Sequence, residues 1–167
     1  MKKEIELKFR VKDFAPIRKK LKSLGAKLVW KGREKNWFFD TKDRIFLKND
    51  SGLRLKVSDR ARLNLKEGKH IERGVKIAYE NEAEVDNPVV IRYILEKLGC
   101  KIYFQYSKHR EHWNLWNGHV ELDTVRGMKF VEVEASHKNI RKIARLLNLD
   151  FARTTTKSYT QILRAWK

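Results

Sequence analysis

Residues 4–8, Glu4-Ile5-Glu6-Leu7-Lys8, alternate charged and apolar side chains near the N-terminus. Successive side chains of a β-strand point to opposite faces, so Glu4, Glu6 and Lys8 share one face of a predicted strand. Two carboxylates and an ammonium on one face can hold a hard divalent cation beside an anionic substrate. A half-buried strand with one solvated face has the same pattern, so this stretch alone supports both interpretations.

The alternation recurs along the whole chain, at 53–57, 62–66, 80–85, 120–123 and 131–134. Besides the N-terminal strand, we predict strands at 27–39, 42–48, 52–58, 61–67, 72–85, 101–116, 118–126 and 129–135. The pair Asn117-Gly118 is a strong hairpin signal between two of them. Most neighbouring strands are separated only by short turns, which predicts an α+β fold with a mainly antiparallel sheet.

Amphipathic helices are predicted where apolar residues recur every three or four positions, at 14–24, 91–98 and 140–147, with a short C-terminal helix at 158–165. Each helix needs an apolar surface to cover, and the Leu, Ile and Val faces of the strands are the candidates. If the helices cover those faces from outside, the charged faces point inward, and about eight strands suffice to close a barrel. An ionic tunnel and an open sheet with one wet face are both consistent with this pattern.

The length and composition indicate one soluble domain spanning residues 1–167. Charged residues make up 36% of the chain, and no apolar run is long enough to span a membrane. The N-terminus has no hydrophobic signal segment. Cys100 is the only cysteine, which excludes an internal disulfide. We therefore expect a cytoplasmic protein with no membrane partner.

The formal net charge of +18 points to polyanionic partners. A basic surface that binds nucleic acid and a basic pocket that binds phosphates both fit this charge. Abundant Lys, Arg and Glu also suit a heat-adapted host. The charge alone does not choose among these explanations.

The residues expected on the charged strand faces form two sets. The carboxylates are Glu4, Glu6, Glu80, Glu82, Glu84, Glu121, Asp123, Glu132 and Glu134. The cations are Lys8, Arg54, Lys56, Lys66, Lys108 and Arg110, with Lys157 near the C-terminus. Ligands that offer only oxygen suit Mg²⁺ or Mn²⁺ rather than zinc. The number of cations matches a triphosphate better than a single phosphate.

In their order along the chain, these motifs resemble the CYTH superfamily, also called triphosphate tunnel metalloenzymes. That superfamily includes class IV adenylyl cyclases, thiamine triphosphatases and inorganic triphosphatases. The resemblance is carried by Glu-x-Glu-x-Lys at 4–8, Leu-Arg-Leu-Lys at 53–56, Leu-Asn-Leu-Lys at 63–66, the alternating glutamates at 80–84, Lys108-His109-Arg110, 121–125, 130–134 and Lys157-Ser158-Tyr159. One departure is Ala78-Tyr79, which stands where many members carry a basic residue.

The resemblance implies a closed eight-stranded antiparallel tunnel with helices packed outside, which binds a triphosphate together with Mg²⁺ or Mn²⁺. It assigns metal binding to Glu4, Glu6, Asp123, Glu132 and Glu134. It assigns phosphate binding to Lys8, Arg54, Lys56, Lys66, Lys108 and Arg110. Lys157 and Glu82 are the candidate catalytic residues, Lys157 to position water or neutralise the leaving group and Glu82 as a further metal ligand.

The expected function is metal-dependent hydrolysis of the terminal phosphate of a nucleoside, organic or inorganic triphosphate. A class IV adenylyl cyclase, which converts ATP to cyclic AMP and pyrophosphate, fits the same residues and stays open. A non-enzymatic binder of RNA or polyphosphate is disfavoured, because carboxylates among the cations repel phosphates. The resemblance also allows a homodimer, for which the sequence offers no separate signal.

Overall fold

The strands pair into a closed antiparallel ring in the computed structural model, which describes residues 1–165. The strands are β1 (Lys2–Val11), β2 (Lys27–Asp40), β3 (Gly52–Val57), β4 (Ala61–Glu72), β5 (Val75–Val85), β6 (Lys101–Leu115), β7 (Gly118–Val125), β8 (Met128–Glu134) and β9 (Thr154–Thr155). Eight of them follow the order β5-β4-β3-β2-β6-β7-β8-β1, and β1 closes the ring by pairing with β5. The two-residue β9 adds a short pairing beside β1.

The helices are α1 (Ala15–Ser23), α2 (Ile45–Lys48), α3 (Pro88–Lys97), α4 (His137–Leu146) and α5 (Tyr159–Ala165), with a 3-10 turn at Phe151–Arg153. The outward strand residues Leu7 and Val131 share one buried cluster with Leu21 of α1 and Ile143 of α4. The helices therefore cover the apolar strand faces from outside, as the alternation predicts. This arrangement confirms the closed antiparallel barrel of the α+β class and excludes the open sheet.

The predicted strand at 42–48 is wrong, because this segment contains the short helix α2. The buried carboxylate of Asp40 accepts hydrogen bonds from the backbone N–H groups of Thr41, Phe46 and Leu47. Those bonds satisfy backbone donors that a sheet would otherwise pair, so the chain turns instead of extending. The partner of β2 on this side is β3, with Trp37 opposite Leu55.

The hairpin at Asn117-Gly118 is confirmed, but its turn lies one residue earlier than the motif indicates. Leu115 pairs with Gly118, so Trp116 and Asn117 form the loop. The role of Gly118 is close packing, because a Cβ built there would lie 2.8 Å from the backbone oxygen of Glu134. In residues 1–165 no helix is long and apolar enough to cross a membrane.

Candidate active site inside the barrel

The inward faces of the strands carry an almost continuous network of ion pairs. In a ring of eight strands, the strand four places away lies across the barrel, so β3 faces β8 and β4 faces β7. The inward ionic residues of β7 and β8 are all acidic: Glu121, Asp123, Glu132 and Glu134. The inward polar residues of β3 and β4 are cationic or neutral: Arg54, Lys56, Arg62, Asn64 and Lys66. We call these the acidic wall and the cationic wall.

On the acidic wall, carboxylate oxygens of Glu121, Asp123 and Glu132 lie within 4.8 Å of one another. The guanidinium group of Arg110 contacts all three carboxylates. Its Nη1 is 2.6 Å from Glu121, and its Nη2 is 2.6 Å from Glu132 and 2.5 Å from Asp123. A cation placed among three carboxylates offsets their mutual repulsion, so Arg110 holds this cluster together.

Asp123 is the most heavily bonded member of the cluster and is fully buried. Its oxygens accept hydrogen bonds from Lys108 Nζ at 2.9 Å, Arg110 Nε at 2.7 Å and the hydroxyl of Tyr159 at 2.8 Å. Tyr159 is the first residue of α5, so this bond fixes the C-terminal helix against one end of the barrel. The Tyr159 ring also lies 4.4 Å from Lys8 Nζ and 4.7 Å from Lys108 Nζ.

Lys8 joins the acidic cluster to β1. Its buried ammonium group lies 3.3 Å from Glu6 and 3.1 Å from Glu132 and donates to the backbone carbonyl of Lys157 at 2.9 Å. Burial alone would lower the pKa of Lys8, but Glu6 and Glu132 outweigh burial and raise it. Lys8 therefore stays charged inside the barrel.

The cationic wall is paired with glutamates of the neighbouring strands β1 and β5. Lys66 donates to Glu4, Arg54 lies 3.6 Å from Glu80, and Lys56 donates to Glu82 at 2.9 Å. All three cations are at most 17% exposed. A phosphate that replaces a glutamate as their partner gains a charge-assisted contact without leaving a buried cation unpaired.

The pKa values of the carboxylates in this site are shifted in two directions. It raises the pKa of Glu121 and of Glu4 above the ordinary value, with Arg110 and Lys66 respectively opposing the rise. Burial acts the same way on Glu132, but Lys8, Lys108 and Arg110 outweigh it and hold the pKa of Glu132 well below the ordinary value. The site therefore contains one carboxylate that ionises readily, Glu132, beside one that resists ionisation, Glu121.

Comparison with known proteins places this barrel in a family, because the CYTH domain family model matches residues 2–162. The chain belongs to the CYTH domain family. A Methanocaldococcus jannaschii protein named Putative adenylate cyclase MJ0240 is 27% identical, over 95% of this chain and 97% of that one.

Two solved structures are similar to this CYTH chain over nearly their full length. The PH1012 protein of Pyrococcus horikoshii is 28% identical with a TM-score of 0.78, covering 93% of this chain and 96% of its own. A Hippeastrum protein, HpAC1, described as revealing a dominant triphosphatase activity, shares the fold at 18% identity and a TM-score of 0.71. That match covers 98% of this chain and 96% of HpAC1.

The donor set of this CYTH barrel suits a hard divalent cation. Three carboxylates converge on one wall, and such ions prefer oxygen ligands. Of the five residues predicted to bind metal, Asp123 and Glu132 belong to this cluster. The third member, Glu121, stands in the acidic set of the sequence but not among the predicted ligands. Glu6 adjoins the cluster through Lys8.

The other predicted site residues lie farther from the cluster or face solvent. Glu134 pairs with the exposed Lys2 at 2.8 Å. Glu82, bonded to Lys56, also lies 3.6 Å from Arg62 and is partly exposed. The Lys157 side chain is exposed, and its backbone carbonyl is the part that reaches Lys8. The roles expected of these three residues stay predictions.

Several residues that face the barrel interior are absent from the two charged sets that the sequence predicts. Buried Glu34 lies 3.4 Å from Lys108 and accepts a hydrogen bond from Asn36. Lys76 lies 3.7 Å from Glu6, so β5 does supply a cation, two residues before Ala78. In the sequence, Tyr159 stands out only as part of the C-terminal motif Lys157-Ser158-Tyr159. Extending the alternation of residues 80–84 back along β5 would have found Lys76.

Proposed function

We propose that this CYTH protein is a metal-dependent triphosphatase that hydrolyses the terminal phosphate of a triphosphate held in the barrel. The observation that carries the proposal is the placement of the acidic wall directly across the barrel from the cationic wall. A metal–triphosphate complex needs both kinds of contact, carboxylates for the metal and cations for the phosphates. A purely electrostatic binder of polyanions would gain nothing from the acidic wall.

In this proposal Glu121, Asp123 and Glu132 hold the metal, and Glu6 and Glu4 extend the acidic surface along β1. When Mg²⁺ or Mn²⁺ is bound, it supplies Lewis-acid neutralisation of the phosphate oxygens. Arg110 would exchange carboxylate partners for phosphate oxygens, because the metal and the guanidinium group compete for the same carboxylates. Tyr159 and Lys108 keep Asp123 oriented while that exchange occurs.

Lys66, Arg54 and Lys56 bind the phosphate chain from the opposite wall and stabilise charge that develops on the leaving diphosphate. The register of β3 and β4 places them at three successive levels of the barrel, because Lys66 lies opposite Gly52 and Arg54 and Lys56 follow along β3. This spacing suits a chain of phosphoryl groups rather than a single phosphate. Lys8 lies between Glu6 and Glu132 and supplies a fixed positive charge where phosphate and carboxylates meet.

The direct test incubates the protein with Mg²⁺ or Mn²⁺ and, separately, tripolyphosphate, ATP and thiamine triphosphate, with all products resolved. We expect inorganic phosphate and the corresponding diphosphate. Glu132→Gln and Lys66→Gln should each lower turnover by about 100-fold, since each removes one preorganised charge. Glu96→Gln, on the outer helix α3, is the matched control and should retain turnover. Equal turnover in Glu132→Gln and Glu96→Gln would overturn the proposal.

A class IV adenylyl cyclase is the second candidate, favoured by the name of the Methanocaldococcus jannaschii relative and by an aromatic group at one end of the barrel. Phe38 and Tyr106 stack at 6.0 Å, with Phe104 at 6.2 Å from each. Such rings offer a surface on which a nucleobase can stack. Cyclic AMP and pyrophosphate as products from ATP would replace the triphosphatase proposal with this one.

A further inference from the structure

A second basic cleft, of about 790 Å³, lies outside the ion-pair network, where β1 and β8 meet the C-terminal segment. Its cationic lining residues are Arg10, Lys12, Lys129 and Arg153, and no acidic residue among residues 1–165 lines it. The volume is in the range of sites for small organic ligands. Nothing in the proposed catalytic arrangement uses this cleft.

The cleft is separate from the site inside the barrel. Arg10 lies on the same face of β1 as Lys8, and it pairs across the sheet with Phe130. The rings of Phe130 and Tyr159 meet edge to face at 5.5 Å and stand between the cleft and the acidic cluster. Phe130 is 2% exposed, so its ring is packed tightly at this boundary.

The charges of the cleft have few internal partners. Lys129 lies 3.9 Å from Asp13, and Arg153 lies 3.4 Å from Asp150. Arg10 and Lys12 form no ion pair with any residue in 1–165. Arg10 and Lys12 are therefore available to an anion, and the hydroxyls of Thr154 and Thr155 add hydrogen-bonding groups to the same cleft.

The remaining wall of the cleft is apolar. Val11, Met128, Phe130 and Ile162 line it. A site that took only inorganic phosphate would have no use for such a wall, whereas an organic group would gain from contact with it. The lining therefore combines phosphate recognition with an apolar surface.

We propose that this cleft is a second ligand site, which binds a phosphate monoester carrying an apolar or planar organic group. A ligand bound in the cleft would also restrain α5. Ile162 in the cleft and Tyr159 in the barrel lie three residues apart on that helix, so a ligand against Ile162 restrains the helix that positions the Tyr159 hydroxyl. This inference does not depend on which reaction the barrel catalyses.

The test is calorimetric titration of the protein with AMP and, separately, with inorganic phosphate, in the absence of divalent metal. We expect AMP to bind at least about tenfold more tightly than phosphate. Arg10→Gln/Lys12→Gln should weaken AMP binding by about tenfold or more, because it removes two charged contacts to the phosphate. The matched control, Lys138→Gln/Arg145→Gln on α4, should bind AMP as the unaltered protein does.

The barrel variant Lys66→Gln separates the two sites. It should leave AMP affinity within about twofold if AMP occupies the cleft. Hydrogen exchange of the backbone amides of Tyr159–Ala165 should slow when AMP binds, and should not change in Arg10→Gln/Lys12→Gln. Loss of AMP binding in Lys66→Gln but not in Arg10→Gln/Lys12→Gln would overturn the proposal. Equal affinity for AMP and phosphate would overturn the inference that the cleft recognises an organic group.

Discussion

Asp123→Asn is the substitution for which the structure predicts the clearest stability effect. The carboxylate is fully buried and accepts from Lys108, Arg110 and Tyr159 through both of its oxygens. An asparagine has the same shape, but its NH₂ group would face a donor in either orientation. The substitution also removes one carboxylate partner from the buried Lys108 and from the largely buried Arg110.

Removing one partner of a buried ion pair costs about 3–5 kcal/mol, and we expect a loss of this size. For a chain of this length that corresponds to a fall in melting temperature of about 6–20 °C. Tyr159→Phe removes one of the same hydrogen bonds without leaving a cation unpaired. Its expected loss of unfolding free energy is therefore only about 0.5–1.5 kcal/mol.

The assay is urea unfolding at neutral pH. The two variants are compared on condition that the dependence of the unfolding free energy on urea concentration is the same in both. A loss below about 1 kcal/mol in Asp123→Asn, or one no larger than that of Tyr159→Phe, would refute the reasoning. Either result would mean that Lys108 and Arg110 are compensated by water or by Glu34 and Glu132 rather than by Asp123.

Three further predictions concern acid stability, metal affinity and backbone packing at Gly118. Burial alone would raise the pKa of Glu34, but Lys108 and Arg110 hold that pKa well below the ordinary value. The stabilising contribution of Glu34 is therefore complete above about pH 4.3 and is lost as the pH falls below that. Glu34→Gln should make the free energy of unfolding, measured with urea, fall less steeply on acidification. Because burial raises the pKa of Glu121, Mn²⁺ affinity measured by calorimetry should fall with decreasing pH, and Glu121→Gln should weaken it about 10-fold or more. Gly118→Ala should destabilise the protein by about 1–3 kcal/mol through its backbone contact, more than Gly127→Ala, where the space is open and only a positive φ is strained.

The alternation predicted which strand residues point inward where one strand face is consistently apolar. In β1 and β8, Leu7, Phe9, Val131 and Val133 are all buried on one face, so the charged residues between them had to point inward. The alternation therefore predicted the residues of the acidic wall, whereas closure of the sheet into a barrel followed from the resemblance to the CYTH superfamily. The same logic placed Lys8, which lies between two apolar neighbours.

The pattern was uninformative where both faces of a strand are polar. Arg33 and Lys35 of β2 are exposed while Glu34 and Asn36 are buried, so no apolar face marks which side points inward. The strand expected at 42–48 failed for a different reason, a tertiary hydrogen-bond arrangement around Asp40 that local hydrophobicity does not encode. Tyr159 enters the site because α5 packs across the barrel end, a contact between residues 36 positions apart.

The formal charge of +18 says less about the barrel interior than the composition suggests. Inside, glutamates and aspartate nearly balance the lysines and arginines, pair by pair across neighbouring strands. The excess cations therefore lie mainly on the outer surface, where α1 and α4 contain no acidic residue. An outer positive field attracts anions over about a Debye length, whereas the paired interior has little net charge with which to attract them. In the proposed function, the outer surface would raise the local concentration of a polyanion, and the opposed walls would select a polyanion that carries a metal.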